Sequence, residues 1–461
     1  MDINGLLVIL MMLSFIGLLF TGYPIAFVLG GVAMFFTLAG YCSDQWFGTV
    51  TGLDYMVIGI VVNRLYKVLH NWILIALPMF IFMGLMLDQS GIAQRMMRSM
   101  QDLFGKVRGG LAISVTLIGI LLAAATGIIG ASVVLLGLLS VPAMLEQKYS
   151  KTLAVGTVCA SGTLGILIPP SIMLVMMADQ LSLAVGDLFM GALLPGIILG
   201  ILYIFYILIL ALIFPDSAPL AKDRRELEFS VIWEVIKTIL PTAALILAVL
   251  GSIFAGLATP TEASGIGAMG AVILALVNKK LNVNIFRQVL QDTFNTTGYI
   301  FGILVGATCF ALVLRELGGD EFIAKAFTGL PFGPYGVIAV ILGVVFLLGF
   351  FLDWIEITLI ILPILAPVVS SLGFHIEGAK MIDNPELVWF AILVAITLQT
   401  SFLTPPVGFA IFYLKGVTPP QIKLMDIYKG VIPFIILQLT GLLIVMLWPQ
   451  LVIWLPSIAY G

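Results

Sequence analysis

Charge is what this chain has least of. Asp, Glu, Lys and Arg make up 10% of its 461 residues, against roughly 25% in a soluble protein. Hydrophobic residues supply 61%, and mean hydropathy is +1.19. A surface so poor in charge cannot face water, which excludes an ordinary soluble domain. Cysteine is scarce as well. Cys42, Cys159 and Cys309 stand alone with no CxxC spacing, so neither a disulfide framework nor a zinc site is indicated. His70 and His375 are the only histidines, too few for a typical metal or proton-relay cluster. GxxxxGK[ST] is missing, so this chain does not hydrolyse ATP by a P-loop. HExxH, GxSxG and paired catalytic acids at useful spacing are missing too, which argues against an intramembrane enzyme. No polar stretch is long enough for a separate soluble domain, so any soluble ligand-capturing or ATP-hydrolysing part belongs to another chain. The opening MDINGLL lacks the basic region of a cleaved signal, and the first apolar segment is expected to be a retained span. The net charge of −3 is uninformative, because charge in a membrane protein is sorted by side.

Long apolar runs are what the chain has instead. Residues 6–20, 25–41, 188–214 and 431–455 carry almost no charge, and about 20 such residues cross a ~30 Å hydrocarbon core. Polar breaks divide the chain into ten candidate spans, near 5–20, 25–41, 71–89, 152–178, 188–214, 231–255, 260–278, 294–314, 387–414 and 431–455. Two further apolar regions, 111–144 and 335–371, are too long for one crossing and too short for two. Each is expected to be a re-entrant helical hairpin, a form tolerated at depth only within protein or around a water-filled cavity. Arg64, Lys67 and His70 with Trp72 read as an interfacial amphipathic helix.

The chain also repeats itself. Tyr23-Pro24-Ile25-Ala26, then Gly30-Gly31-Val32-Ala33-Met34, corresponds to Thr259-Pro260-Thr261-Glu262-Ala263, then Gly265-Ile266-Gly267-Ala268-Met269. Asp88-Gln89-Ser90-Gly91-Ile92-Ala93 precedes the first hairpin, as Gly319-Asp320-Glu321-Phe322-Ile323-Ala324 precedes the second. Pro24 and Pro260 are as far apart as Pro169 and Pro405. The expected architecture is an all-α membrane protein of two halves, 1–230 and 231–461. Each half holds three spans, a hairpin (near 111–144 and 335–371), a broken span (152–178 and 387–414) and a final span. Five crossings per half is odd, so the second half is inverted relative to the first, as in many secondary transporters.

Two proline-broken spans carry the chemistry. Ser161-Gly162-Thr163-Leu164-Gly165-Ile166-Leu167-Ile168-Pro169-Pro170-Ser171 lies mid-span, as does Thr400-Ser401-Phe402-Leu403-Thr404-Pro405-Pro406-Val407-Gly408. Proline lacks the amide donor and clashes with the preceding turn. Each break frees carbonyls beside Ser and Thr hydroxyls, hard oxygen ligands suited to a small cation, while half-helix N-termini favour an anionic group. A single kink is commonplace in membrane helices; two at matching positions, each with hydroxyls, point to a site. The hairpin tips hold Thr126-Gly127-Ile128-Ile129-Gly130-Ala131-Ser132 and Gly349-Phe350-Phe351-Leu352-Asp353-Trp354-Ile355-Glu356-Ile357-Thr358. An acid at depth is a functional candidate; the alternative for Asp353 is a cap on the returning helix, which is compatible with a nearby cation site. Glu356 reads as structural, and Glu262 as a cap at a span end. Gly265-Ile266-Gly267-Ala268-Met269-Gly270 matches GxGxxG without a preceding strand, so small-residue packing explains it better, as it does Gly298, Gly302 and Gly306.

Gly162-Thr163-Leu164-Gly165 with Ile168-Pro169-Pro170-Ser171, Thr259-Pro260-Thr261-Glu262-Ala263 and Thr404-Pro405-Pro406-Val407-Gly408 resembles the large membrane subunit of tripartite ATP-independent periplasmic (TRAP) transporters, the DctM-like family. The resemblance covers essentially the whole chain. Asp353-Trp354-Ile355-Glu356-Ile357 resembles the branch associated with 2-oxo acid, mannitol-type and chloroaromatic acid systems. The resemblance implies an elevator-type importer of organic acids in the bacterial inner membrane, driven by sodium, with no covalent cofactor and no nucleic-acid partner. It implies a small four-helix membrane subunit, not fused to this chain, and a periplasmic substrate-binding protein. Carried over, a first sodium site involves Thr126, Gly127, Gly162, Thr163 and Gly165, and a second Asp353, Thr400 and Thr404. Ser171, with Pro170, Thr404 and Pro405, falls in the substrate region. Relatives have a serine-rich first tip, whereas here Thr126-Gly127 is followed by Ile128 and Ile129. A self-sufficient ion-coupled anion transporter is the alternative reading, and transport without a binding protein would favour it. Paired breaks and hairpins suggest an occluded site rather than the continuous pore of a channel.

Charge placement yields a topology prediction. Arg95, Arg98, Lys106, Arg108, Lys148 and Lys151, against Asp102 and Glu146, flank the first hairpin. Glu316, Asp320, Glu321, Glu377, Asp383 and Glu386, against Arg315, Lys325 and Lys380, flank the second. Basic loops stay in the cytoplasm, so the first hairpin opens inward and the second outward. Lys222-Asp223-Arg224-Arg225 and Lys279-Lys280 fall inside in the same count, and both termini outside. Cysteines introduced at Lys148 and Asp383 should react with an impermeant maleimide from opposite sides of the membrane; labelling from one side removes the inversion.

Overall fold

The computed structural model describes residues 3–127, 129–220, 229–376, 378 and 382–460. Ile128, the basic run Lys222-Asp223-Arg224-Arg225, and Glu377 and Lys380 of the second hairpin's flank lie outside the described residues, as does the side chain of Thr126. Among the described residues every regular element is helical, and ten helices are long and apolar enough to cross a membrane.

The chain divides into two compact units. The first comprises Met1–Trp72, Asn295–Val344 and Leu352–His375. Its opening helix, Ile3–Leu19, buries Val8, Met11 and Phe15, and the Phe15 ring sits 5.2 Å from that of Phe310. Helix Ile25–Phe47 approaches Gly306 so closely that a Cβ there would stand 2.5 Å from the Ala26 carbonyl oxygen. Of the glycine stripe, Gly306 alone is tight; Gly302 meets only Ala26 Cβ at 3.9 Å and Gly298 faces open space. After this helix Asp44 ties down the loop, accepting from Thr51 N at 2.9 Å and Thr49 Oγ1 at 2.6 Å. The expected amphipathic segment is helix Tyr55–Leu69, capped by Asp54 and terminated at His70, whose backbone N–H donates to the Tyr66 carbonyl.

The second unit comprises Ile73–Phe294, Val345–Phe351 and Ile376–Gly461. Helix Ala76–Gln89 packs along helix Pro260–Val277. The GxGxxG segment lies in that contact: a Cβ at Gly267 would meet Met83 Sδ at 2.6 Å, and one at Gly270 would meet Leu245 at 2.3 Å. Glu262 is a cap, accepting from Thr259 N at 2.8 Å in a reciprocal capping box. Hairpin one is formed by Gly110–Thr126 and Ile129–Glu146, which pack on each other.

Broken helix one runs Lys151–Thr163, tightens into a 3-10 turn over Leu164–Ile166, and resumes at Ile172–Leu181. Broken helix two runs Pro385–Leu403 and resumes at Phe409–Val417. The apolar window of Pro385–Leu403 is 94% buried, against 28–67% for the other nine candidate spans, so this helix is enclosed by protein rather than lipid. The second hairpin region is also two helical stretches, Pro334–Leu348 and Trp354–Ser371. Within the latter, Ile357–Ile361 forms a π-helical turn just before Pro363. Pro363 has no amide to offer the Leu359 carbonyl, and widening the turn relieves its clash with that group.

Two expected boundaries move. The final span, read as 431–455, is two helices, Leu424–Leu447 and Gln450–Tyr460, separated at Trp448 and Pro449. The span read as 294–314 belongs to a longer helix, Val283–Glu316.

Broken helix one crosses helix Leu424–Leu447 glycine on glycine. A Cβ on Gly156 would lie 2.1 Å from the Gly430 carbonyl oxygen, and one on Gly430 would lie 2.3 Å from the Thr152 carbonyl oxygen. Backbone cannot yield as a side chain tip can, so the helices must separate. Gly430→Ala should destabilise the protein by about 1–3 kcal/mol, read as a lower melting temperature of the detergent-solubilised chain. An unchanged melting curve contradicts this packing.

Candidate transport site

In a continuous helix the carbonyls of Gly165 and Ile166 would accept from residues 169 and 170. Both are prolines, so both acceptors are released. Ser171 answers one of them, its Oγ donating to the Ile166 carbonyl at 2.6 Å. That commitment leaves the following half-helix, Ile172–Leu181, without a side-chain cap. The whole break from Gly162 to Ser171 is buried. The second break repeats the arrangement. Pro405 and Pro406 have no amide to offer the carbonyls of Ser401 and Phe402. Ser401 accepts instead from Thr404 N at 3.0 Å, Phe402 is released, and Gly408, at φ +49°, leads into half-helix Phe409–Val417 with no side-chain cap. Here Thr404 and Pro405 are half-buried and Pro406 is exposed. Tyr428 Oη donates to the Pro406 carbonyl at 2.9 Å.

The threonine hydroxyls each donate back along their own helix, three residues back at Thr163 and four at Thr400 and Thr404. Thr163 donates to the Ala160 carbonyl at 2.9 Å, Thr400 to Ile396 at 2.8 Å and Thr404 to Thr400 at 2.7 Å. With its proton committed to its own helix, each hydroxyl keeps oxygen lone pairs for an electrophile. Hydroxyls and released carbonyls form a hard-oxygen donor set suited to a small cation.

Hairpin one meets broken helix one at three glycines. Gly127, at φ +60°, puts the tip so near the second half-helix that a Cβ would lie 3.2 Å from Ile172 N. A Cβ on Gly162 would lie 2.4 Å from Val133 Cγ2, and one on Gly119 would lie 2.6 Å from Ser161 Cβ. The structure therefore brings Gly127, Gly162, Thr163 and Gly165 to one junction within the second unit. Thr400 and Thr404 lie in the same unit, and the two broken helices touch there, with Cys159 Sγ 3.7 Å from the Ala410 carbonyl oxygen.

Asp353 belongs to the first unit. It caps the helical stretch that begins at Trp354, accepting from Trp354 N at 2.8 Å. Glu356, one turn on, is wholly buried.

Sequence reasoning did not single out Ser401. Its Oγ donates to the Phe346 carbonyl at 2.8 Å, and a Cβ on Gly349 would lie 2.6 Å from that same Oγ. The signal was present in Gln399-Thr400-Ser401, three consecutive polar residues inside an apolar span.

Paired helix breaks beside a helical hairpin describe a transport site rather than an identity. Residues 12–451 match the family described as "Tripartite ATP-independent periplasmic transporter, DctM component". The chain belongs to this family. Among relatives of the TRAP large permease, the C4-dicarboxylate TRAP transporter large permease protein DctM of Pseudomonas aeruginosa is 30% identical over 398 residues, covering 86% of this chain and 88% of that one. The sialic acid TRAP transporter large permease protein SiaM of Vibrio cholerae is 26% identical over 97% of this chain and 98% of its own. The crystal structure of the Alcanivorax borkumensis YdaH transporter shares the fold, with a TM-score of 0.60 at 12% identity over 86% of this chain and 89% of that chain. The TRAP permease is thus a transport protein and not an enzyme, a multi-pass protein of the bacterial inner membrane. A tripartite system implies two other components, a small membrane subunit and a periplasmic binding protein.

The Gly349–Ser401 contact can be tested by suppression. Gly349→Ala should lower the melting temperature, and adding Ser401→Gly, which removes the opposing side chain, should recover part of the loss. Strictly additive losses show that the two positions do not press on each other.

Proposed function

We propose that this permease imports an organic carboxylate down a sodium gradient, one substrate-bearing region moving in an elevator fashion, in a chain whose halves 1–230 and 231–461 are inverted repeats. The observation that carries this reading is the pairing at each break of an uncapped half-helix N-terminus with hydroxyl and released carbonyl oxygens. The N-termini offer amides and partial positive charge to a carboxylate; the oxygens offer a sodium shell. Ser171 and Pro170 at one break, and Thr404 and Pro405 at the other, are the proposed substrate contacts. Gly127, Gly162, Thr163 and Gly165, with Thr126 at the tip, are proposed for one sodium ion. Thr400 and Thr404 are proposed ligands on broken helix two, and Asp353 a proposed ligand from the first unit. Relatives named for C4-dicarboxylates and sialic acid support the carboxylate class.

The test is uptake of radiolabelled C4-dicarboxylate and sialic acid by proteoliposomes holding the permease, its small subunit and its binding protein. Uptake should require an inward sodium gradient and proceed without ATP; undiminished uptake in choline buffer overturns sodium coupling. Asp353→Asn retains a hydrogen-bond acceptor for Trp354 N but loses the charge. It should raise the sodium concentration for half-maximal uptake about tenfold, since ~1.4 kcal/mol is tenfold and a charge-assisted contact is of that order or larger. An unchanged sodium curve with a lowered melting temperature assigns Asp353 to capping alone.

A further inference from the structure

The residue just before Thr400 sits in a fully buried polar cluster. Gln399 of broken helix two, Tyr203 of helix Val185–Ile213 and Gln438 of helix Leu424–Leu447 are each 0% exposed. The Gln399 and Gln438 side-chain amides both reach the Tyr203 hydroxyl, at 3.3 Å and 2.8 Å. Tyr203 is itself fixed, its ring edge-on to Phe434 at 5.2 Å and 86°.

Proton bookkeeping refines this contact. If both amide nitrogens donate to the phenol, its own proton has nowhere to go, and both amide oxygens are left without a hydrogen-bond partner among the described residues. Turning the Gln438 amide end for end lets its carbonyl accept the phenol proton. The two ends of an amide are distinguished only by such networks. The 2.8 Å contact has the length of an O–H···O bond, and the 3.3 Å contact that of a longer N–H···O bond. Tyr203 then donates to Gln438 and accepts from Gln399, in a directional chain across three helices.

Three consecutive side chains of broken helix two therefore point to three different partners. Gln399 is held by Tyr203, Thr400 bonds back to the Ile396 carbonyl, and Ser401 donates to the Phe346 carbonyl. An apolar helix in an apolar sleeve has little to fix its rotation; buried hydrogen bonds fix it because breaking them strands polar groups away from water. We propose that Gln399, held by Tyr203 and Gln438, is a positioning residue that sets the rotation of the last turn of broken helix two and so presents Thr400 to sodium. This rests on the reading of Thr400 as a sodium ligand.

The experiment measures binding of ²²Na⁺ to the full chain in nanodiscs by scintillation proximity, with choline chloride holding ionic strength constant, alongside melting temperatures. Gln399→Met and Tyr203→Phe should each raise the half-saturating sodium concentration about fivefold, the size of one hydrogen bond worth ~1 kcal/mol. Thr400→Ala, which removes the proposed ligand itself, should raise it at least as much. Trp389→Phe is the control: it breaks another buried bond of helix Pro385–Leu403, from Trp389 Nε1 to the Val445 carbonyl of helix Leu424–Leu447 at 2.9 Å. It should lower the melting temperature and leave sodium affinity in place. The triple variant Tyr203→Phe, Gln399→Met, Gln438→Met strands no polar group. It should recover melting temperature relative to the single variants yet keep the weakened sodium binding.

If Gln399→Met leaves sodium binding unchanged while Thr400→Ala weakens it, the positioning role is overturned and the sodium reading stands. The positioning role is also overturned if Trp389→Phe weakens sodium binding equally, or if the triple variant regains wild-type affinity. No saturable sodium binding to the wild type, or none lost in Thr400→Ala, overturns the sodium reading and this proposal with it.

Discussion

The structure depends on one constraint: hydrocarbon offers no water to a free backbone amide or carbonyl, so a helix can be broken only where protein or a water-filled cavity surrounds the break. Pro169–Pro170 and Pro405–Pro406 each strip two donors from a helix interior, which would be unaffordable against lipid. Both breaks occur in helices wrapped by others. Broken helix one is buried along nearly its whole length, and Pro385–Leu403 is the most enclosed of the ten candidate spans among the described residues. The same enclosure makes the breaks useful. At the first break, buried from Gly162 to Ser171, released carbonyls and uncapped amides attract ions and anions far more strongly than they would at a surface, while the second break is half-buried at Thr404 and Pro405 and open at Pro406.

Enclosure demands that helices come close, and glycine permits it. Gly156 and Gly430 let two backbones touch, Gly162 and Gly119 seat hairpin one on broken helix one, and Gly349 admits Ser401. These crossings bring carbonyl and hydroxyl oxygens within reach of one another at the breaks. Packing and chemistry are therefore not separable here: enlarging a crossing glycine displaces the oxygen donors along with the helix.

Much of this was legible in the sequence. Two adjacent prolines override any apolar pattern, so both spans could be read as broken, although the first half-helix ends at Thr163, well before Pro169. The hairpins followed from length alone, and Glu262 was readable as a cap because Thr259 stands three residues before it. Hydropathy failed where it carries no geometric information. The turn at Trp448 and Pro449 interrupts an unbroken apolar run, and the first turns of helix Val283–Glu316 hold Asn284, Arg287, Gln288 and Asp292, which read as a loop. Among the candidate site residues, Thr163, Thr400 and Thr404 stand in the hydroxyl-bearing segments around the two proline pairs, and their proposed roles come from the family resemblance. The grouping of Gln399, Tyr203 and Gln438 was not legible, since 196 residues separate Gln399 from Tyr203 and 235 separate Gln438 from it, and one sequence does not reveal such pairings.

The central claim is that the two helix breaks are ion sites and not merely kinks. The most direct measurement is a high-resolution cryo-electron microscopy comparison of the permease in sodium chloride and in choline chloride. The account predicts compact density in sodium alone, within coordination distance of Thr163 at the first break and of Thr400 and Thr404 at the second. Identical maps in the two salts, with both breaks empty of density at a resolution that shows ordered water elsewhere, would contradict it.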